Sequence, residues 1–105
     1  MSAIDDFMDE FAREDGFFLG LHQRQFDPVA AERALQALRR IEIGIDHGAN
    51  YRLAHHLFQA MFELNTYGYY NRDDELFDHH LNLLFSEIAD LFNAVGRLGY
   101  EMRES

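Results

Sequence analysis

The sequence predicts an all-α protein: a compact, antiparallel, four-helix-bundle-like arrangement of three long helices plus an N-terminal helix. Three observations carry this expectation. Between Asp73 and Leu98, the residues Phe77, Leu81, Leu84, Ile88, Leu91, Val95 and Leu98 recur at alternating steps of four and three, which puts them on one helical face. Asp27-Pro28 is a strong helix start, a side-chain cap followed by a residue whose missing N–H is harmless in the first turn. Nothing in the chain reads as a convincing strand.

Composition sets the outer bounds. With 105 residues the chain is expected to form one domain over 1–105, with 99–105 as a frayed tail. A domain of this size buries roughly two-thirds of its unfolded surface, enough for one modest core. Hydrophobic content of 48% excludes a wholly disordered chain, and no apolar run approaches the roughly 20 residues that cross a bilayer. No membrane partner is therefore expected. The start, Met1-Ser2-Ala3-Ile4-Asp5-Asp6, has acids where a signal peptide would be basic, so the expected location is cytoplasmic. The absence of cysteine removes disulfides, thiolate metal sites and cysteine nucleophiles.

Nineteen acids oppose nine basic residues, all arginine, for a net charge of -10. The lysine-free composition reads as GC-rich codon usage and a bacterial or phage source. A field this negative disfavours a phosphate backbone, so no direct nucleic-acid partner is expected, and it favours a basic protein surface. Solubility alone accounts for the same charge equally well.

The elements follow in order. Ser2 with Asp5 forms a capping box, and Ile4, Phe7 and Phe11 continue at helical spacing, giving a first helix from Ala3 to Glu14. Each glycine inside a helix costs about 1 kcal/mol, so a break or kink is expected near Gly16. The acids Asp5, Asp6, Asp9, Glu10, Glu14 and Asp15 leave the opposite face strongly negative. The second helix runs from Pro28 to His47, with Ala31, Ala34, Leu38, Ile41 and Ile45 as its seam. Gly48-Ala49-Asn50 closes it and caps the next, a link so short that the two helices are expected to be antiparallel neighbours. The third spans Tyr51 to Tyr67. Its seam is Ala54, Leu57, Met61 and Leu64, flanked by Tyr51 and Phe58, with Arg52, His56, Gln59 and Glu63 outward. Tyr67 to Asn71 turns the chain into the last helix, Asp73 to Leu98, which Asn71 caps and Arg97-Gly99 ends.

In heptad terms Leu84, Leu91 and Leu98 fill one seam position of that helix, with Ile88 and Val95 in the other. Such a seam favours two strands, and it predicts a homodimer through Leu84, Ile88, Leu91 and Val95. Phe85 and Phe92 widen the same face, which suits burial within a bundle instead.

Few side chains suggest chemistry. His55-His56 and His79-His80 each open a His-His-Leu, but a bundle metal site needs ligands three or four residues apart on facing helices. Glu75 and His79 have that spacing on the solvated side, and His80 and Glu87 are about 10.5 Å apart along the axis. No metal and no cofactor are expected, and no catalytic residue is assigned. The clustered Tyr67, Tyr69 and Tyr70, with Arg72, have the composition of a binding hot spot, though the rings can equally cover the end of the core.

Arg72-Asp73-Asp74-Glu75-Leu76-Phe77-Asp78-His79 places a histidine at the end of a short polar segment opened by arginine, and Arg40 and His47 repeat the spacing. The segment resembles the arginine–histidine signature of the HEPN family of helical ribonucleases. That resemblance, over eight residues, implies RNA cleavage by Arg72 and His79 as an alternative function.

The favoured reading is a small acidic module that neutralises a basic, nucleic-acid-binding type of protein by occlusion, as immunity proteins, antitoxins and phage inhibitors do. Its expected contact residues are Tyr67, Tyr69, Tyr70, Arg72, Asp5, Asp6, Asp9 and Glu10. A structural homodimer or assembly subunit is the other alternative.

Overall fold

The computed structural model describes residues 2–104, with side chains from Ser2 to Arg97, and these residues form five helices and no strand. The N-cap half of the expected box is present: the Ser2 hydroxyl accepts from the Asp5 backbone N–H at 3.2 Å, while the Asp5 carboxylate accepts from the Ser2 hydroxyl at 3.0 Å. Helix α1 (Ala3–Asp9) stops earlier than expected, and the chain turns through 10–15 before α2 (Phe17–His22). The break opens at Glu10 and closes at Gly16, the residue near which it was expected. A Cβ there would stand 2.5 Å from the Glu10 carbonyl oxygen, so only glycine lets the turn close this tightly. Phe7, Phe11 and Phe18 meet across it, the last two stacked with centroids 4.5 Å apart.

Helix α3 (Pro28–Arg40) begins on the expected cap, with Asp27 accepting from the Val29 N–H at 3.0 Å. It ends seven residues before His47, because Ile41 leaves the helical region at ψ 129°. Ile41, Ile43 and Ile45 are β-branched, interrupted by Gly44, and they form an extended link rather than two more helical turns. The expected seam is buried at Ala31, Ala34, Leu38 and Ile41 and ends there, since Ile45 is exposed.

Helix α4 (His47–Tyr70) starts on Asp46, whose carboxylate accepts from the Ala49 N–H at 3.1 Å. Asn50, expected as the cap, is buried inside the first turns and donates to the Gly44 carbonyl at 2.7 Å, holding the link in place. The buried stripe of α4 is Leu53, Leu57, Ala60, Leu64 and Tyr67, rotated from the expected seam, while Tyr51 and Phe58 stand in solvent. Helix α5 (Glu75–Glu104) is capped by Asp74, not Asn71, through a 3.0 Å bond from the Phe77 N–H. It continues past Gly99, where a stop was expected; the side chain of Leu98 and the tail side chains lie outside the described residues.

The helices close a ring. Helix α3 packs on α1 and α5, α4 packs on α5, α2 and α1, and α3 and α4 do not pack on each other. The expected neighbours are therefore diagonal. The six-residue link, Ile41 to Asp46, can span up to roughly 20 Å, enough to carry the chain from one side of the ring to the other. Along α5 the buried residues are Phe77, His80, Leu84, Ile88 and Leu91, close to the predicted stripe, with Leu81 and Val95 at its edge. Ala30, Ala31, Ala34 and Ala37 give α3 a smooth buried face. Gly68 serves the α4–α5 hairpin in the same way: a Cβ would press 3.2 Å from the Phe77 ring.

Candidate binding surface

The acids of the N-terminal segment do not form a free negative face. Glu10 is 2% exposed, and its carboxylate receives both arms of the Arg33 guanidinium at 2.7 and 2.8 Å and the Phe17 N–H at 2.9 Å. The pair holds the Arg33 guanidinium pKa above its ordinary value, chiefly through the hydrogen bond to Glu10. Asp6 pairs with Arg40 at 3.2 Å, and Arg13 donates to Asp15, whose carboxyl is held below the usual carboxylate range by that bond. Arg33 also donates to the Asp15 carbonyl at 2.8 Å. The cleft between α1 and α3 thus brings Asp6, Asp9 and Glu10 together with Arg13, Arg33 and Arg40, equal numbers of each sign. Of the expected contact residues here, Asp5 and Asp9 keep no ion-pair partner among the described residues, and Glu10 is a correction: burial removes it from any docking surface.

Glu10 was hidden from sequence reasoning by its position among surface acids. A signal was present in Gly16, which opens α2 without any side chain to cap it. Glu10 supplies what is missing: its backbone carbonyl accepts from Phe18 and Leu19 while its carboxylate accepts from Phe17. Three first-turn N–H groups of α2 end on one residue.

The aromatic cluster divides. Tyr67 belongs to the core, 4.5 Å from the Phe77 ring centroid, and its hydroxyl donates to Asp74 at 3.4 Å. Burial, then the Asp74 charge, raises its pKa. Its expected place among the contact residues is the second correction, and it covers the end of the core instead. Tyr69 and Tyr70, in the last turn of α4, are exposed. Each carries an arginine: the Arg72 guanidinium lies 4.9 Å from the Tyr69 ring centre and that of Arg24 lies 5.1 Å from Tyr70. Arg24 holds this position at φ 62°, a left-handed conformation that ends α2 and is costly for arginine. Between α2 and α4 a depression of about 170 Å³ is lined by His22, Arg24, Phe62, Thr66 and Tyr70 among others. Its wall includes Glu63, which bonds His22 at 3.1 Å instead of facing outward.

Beside these rings the hairpin carries Asp73, Glu75 and Asp78, none with an ion-pair partner among the described residues, and the exposed Leu76. Phe58 and Phe62 extend the exposed aromatic surface along α4, where Phe58 was expected to flank the buried seam.

The remaining candidates are less favoured by their surroundings. Leu84 and Ile88 are fully buried in the chain's own core and Leu91 nearly so, so the predicted dimer seam is already occupied within one molecule. His79 is exposed beside His80, and Arg72 is engaged with Tyr69. His80 is satisfied by the Leu76 carbonyl at 2.9 Å, and Glu87 pairs with Arg39. Among the described residues no three histidine, aspartate or glutamate side chains are placed to hold a metal ion, and no helix is long and apolar enough to cross a membrane. No protein-family model, no curated protein and no solved structure matches the chain.

Proposed function

We propose that this protein is a small binding module that occludes a basic protein surface, docking through the tip of the α4–α5 hairpin. The observation that carries this reading is the co-location there of Asp73, Glu75 and Asp78, without an ion-pair partner among the described residues, with the exposed Tyr69, Tyr70 and Leu76. Unpaired carboxylates draw a basic partner into encounter, and aromatic anchors slow its departure. The stacked arginines hold the two tyrosine rings in place, which lowers the ordering cost of contact. The net charge of -10 adds long-range attraction for a cationic target.

Affinity capture from the native host at low and moderate salt tests the reading. A stoichiometric basic protein is expected, retained less well as salt rises, and lost when Asp73→Asn, Glu75→Gln and Tyr70→Ala are combined. Retention that ignores both salt and this triple substitution would remove the hairpin tip from the interaction.

A further inference from the structure

The outer face of α4 carries four aromatic side chains that the fold leaves in water: Tyr51, Phe58, Phe62 and Tyr69, at 79, 65, 60 and 64% exposure. Their order is palindromic, Tyr-Phe-Phe-Tyr, with spacings of seven, four and seven residues centred on Ala60. At 100° per residue all four fall within about 20° of the direction opposite Ala60, which is itself fully buried. The stripe is therefore straight, faces directly away from the core, and reads the same from either end over about 27 Å.

We propose that this face binds a second copy of the chain, α4 against α4, antiparallel about a twofold axis at Ala60. A twofold interface must be complementary to itself. Reversing the helix about Ala60 sets Phe58 against Phe62 of the second copy and Tyr51 against Tyr69, so every ring meets a ring. Charge selects the same face. Helix α4 holds one acid among 24 residues, Glu63, and that carboxylate is turned aside to His22. On a chain of net charge -10 the aromatic stripe lets two copies meet without opposing carboxylates. The exposed rings offer on the order of 500 Å² per copy, or about 1,000 Å² in all, the lower limit for a specific interface. A weak dimer follows from an interface this small. This interface shares Tyr69 with the basic-partner contact at the hairpin tip but has the opposite salt response: screening two like-charged copies tightens the dimer.

Sedimentation equilibrium of the full chain from about 1 to 300 µM, at 20 and 300 mM salt, is the test. The expected result is a monomer–dimer equilibrium several-fold tighter at the higher salt, and a monomer throughout for Phe58→Ser with Phe62→Ser. Those positions are exposed, so circular dichroism and melting of the dilute double variant are expected to match the parent. A parent that stays monomeric at 300 µM, or a dimer indifferent to the double substitution, overturns the proposal. Geometry is read separately with single cysteines, since the chain has none of its own. His55→Cys mixed with Asn65→Cys is expected to form a crossed disulfide under mild oxidation, while each variant alone forms little. Efficient linking of His55→Cys to itself would overturn the antiparallel arrangement.

Discussion

Glu10 and Arg33 meet fork to fork, at 2.7 and 2.8 Å, with the carboxylate buried and the guanidinium partly open to water. Through that contact α3 is tied to the end of α1, and through the Phe17 N–H the same carboxylate fixes the start of α2. One ion pair therefore sets the geometry of three helices.

Removing one partner should cost more than the pair itself contributes, because a buried charge is left unmatched. Arg33→Leu is expected to lower stability by about 2–4 kcal/mol, reduced from a fully buried case by the solvent access of Arg33. Urea denaturation of Arg33→Leu, Glu10→Gln and the double variant checks it. Strictly additive losses would mean that the two side chains act independently.

The three glycines Gly16, Gly44 and Gly96 separate steric need from tolerance. Gly16→Ala presses a methyl group onto backbone that cannot yield and is expected to cost about 1–3 kcal/mol. Gly44→Ala meets nothing within 4 Å and should be near neutral. Gly96→Ala, equally open but inside α5, should stabilise by about 0.5–1 kcal/mol through helix propensity. Thermal melts of the three variants rank them.

The phase of α4 can be checked by neighbouring substitutions. Leu57→Ala in the core is expected to cost about 2–5 kcal/mol. Phe58→Ala, one residue away and exposed, should change stability by less than about 0.5 kcal/mol in dilute protein. Equal losses at both positions would contradict the observed burial.

Tyr67 makes stability fall at alkaline pH. Its folded pKa is raised above the unfolded value, so the neutral phenol stabilises the fold fully below the unfolded pKa of about 10, and this is lost as pH rises through the folded pKa. Of the chain's five tyrosines, Tyr67 should give a late phase in an ultraviolet titration. Tyr67→Phe is expected to remove that phase and flatten the alkaline loss measured by denaturant melts.

Much of the fold was legible in the sequence because local chemistry settled it. The caps at Ser2 and Asp27, the break at Gly16 and the apolar stripe of α5 each rest on neighbours within a turn or two. Alternation in Ile41-Glu42-Ile43-Gly44-Ile45 also marked the link after α3, but a helical phase through Ile41 and Ile45 competed with it. In α4 apolar and aromatic residues lie on all sides, so periodicity could not choose between the stripe through Ala54 and Met61 and the one through Leu53 and Ala60.

The sequence by itself determined an all-helical chain, where α1 and α3 begin, and a strongly acidic, lysine-free composition. Tertiary structure decided which charges were available and which rings faced water. Glu10, Asp6 and Asp15 look like free surface acids until α3 brings Arg33 and Arg40 alongside, and Tyr67 looks like Tyr69 until Phe77 closes over it. Ion pairing and burial depend on what lies opposite in space, from 23 residues away for Glu10 and Arg33 to 34 for Asp6 and Arg40, and helical periodicity carries no information at that range.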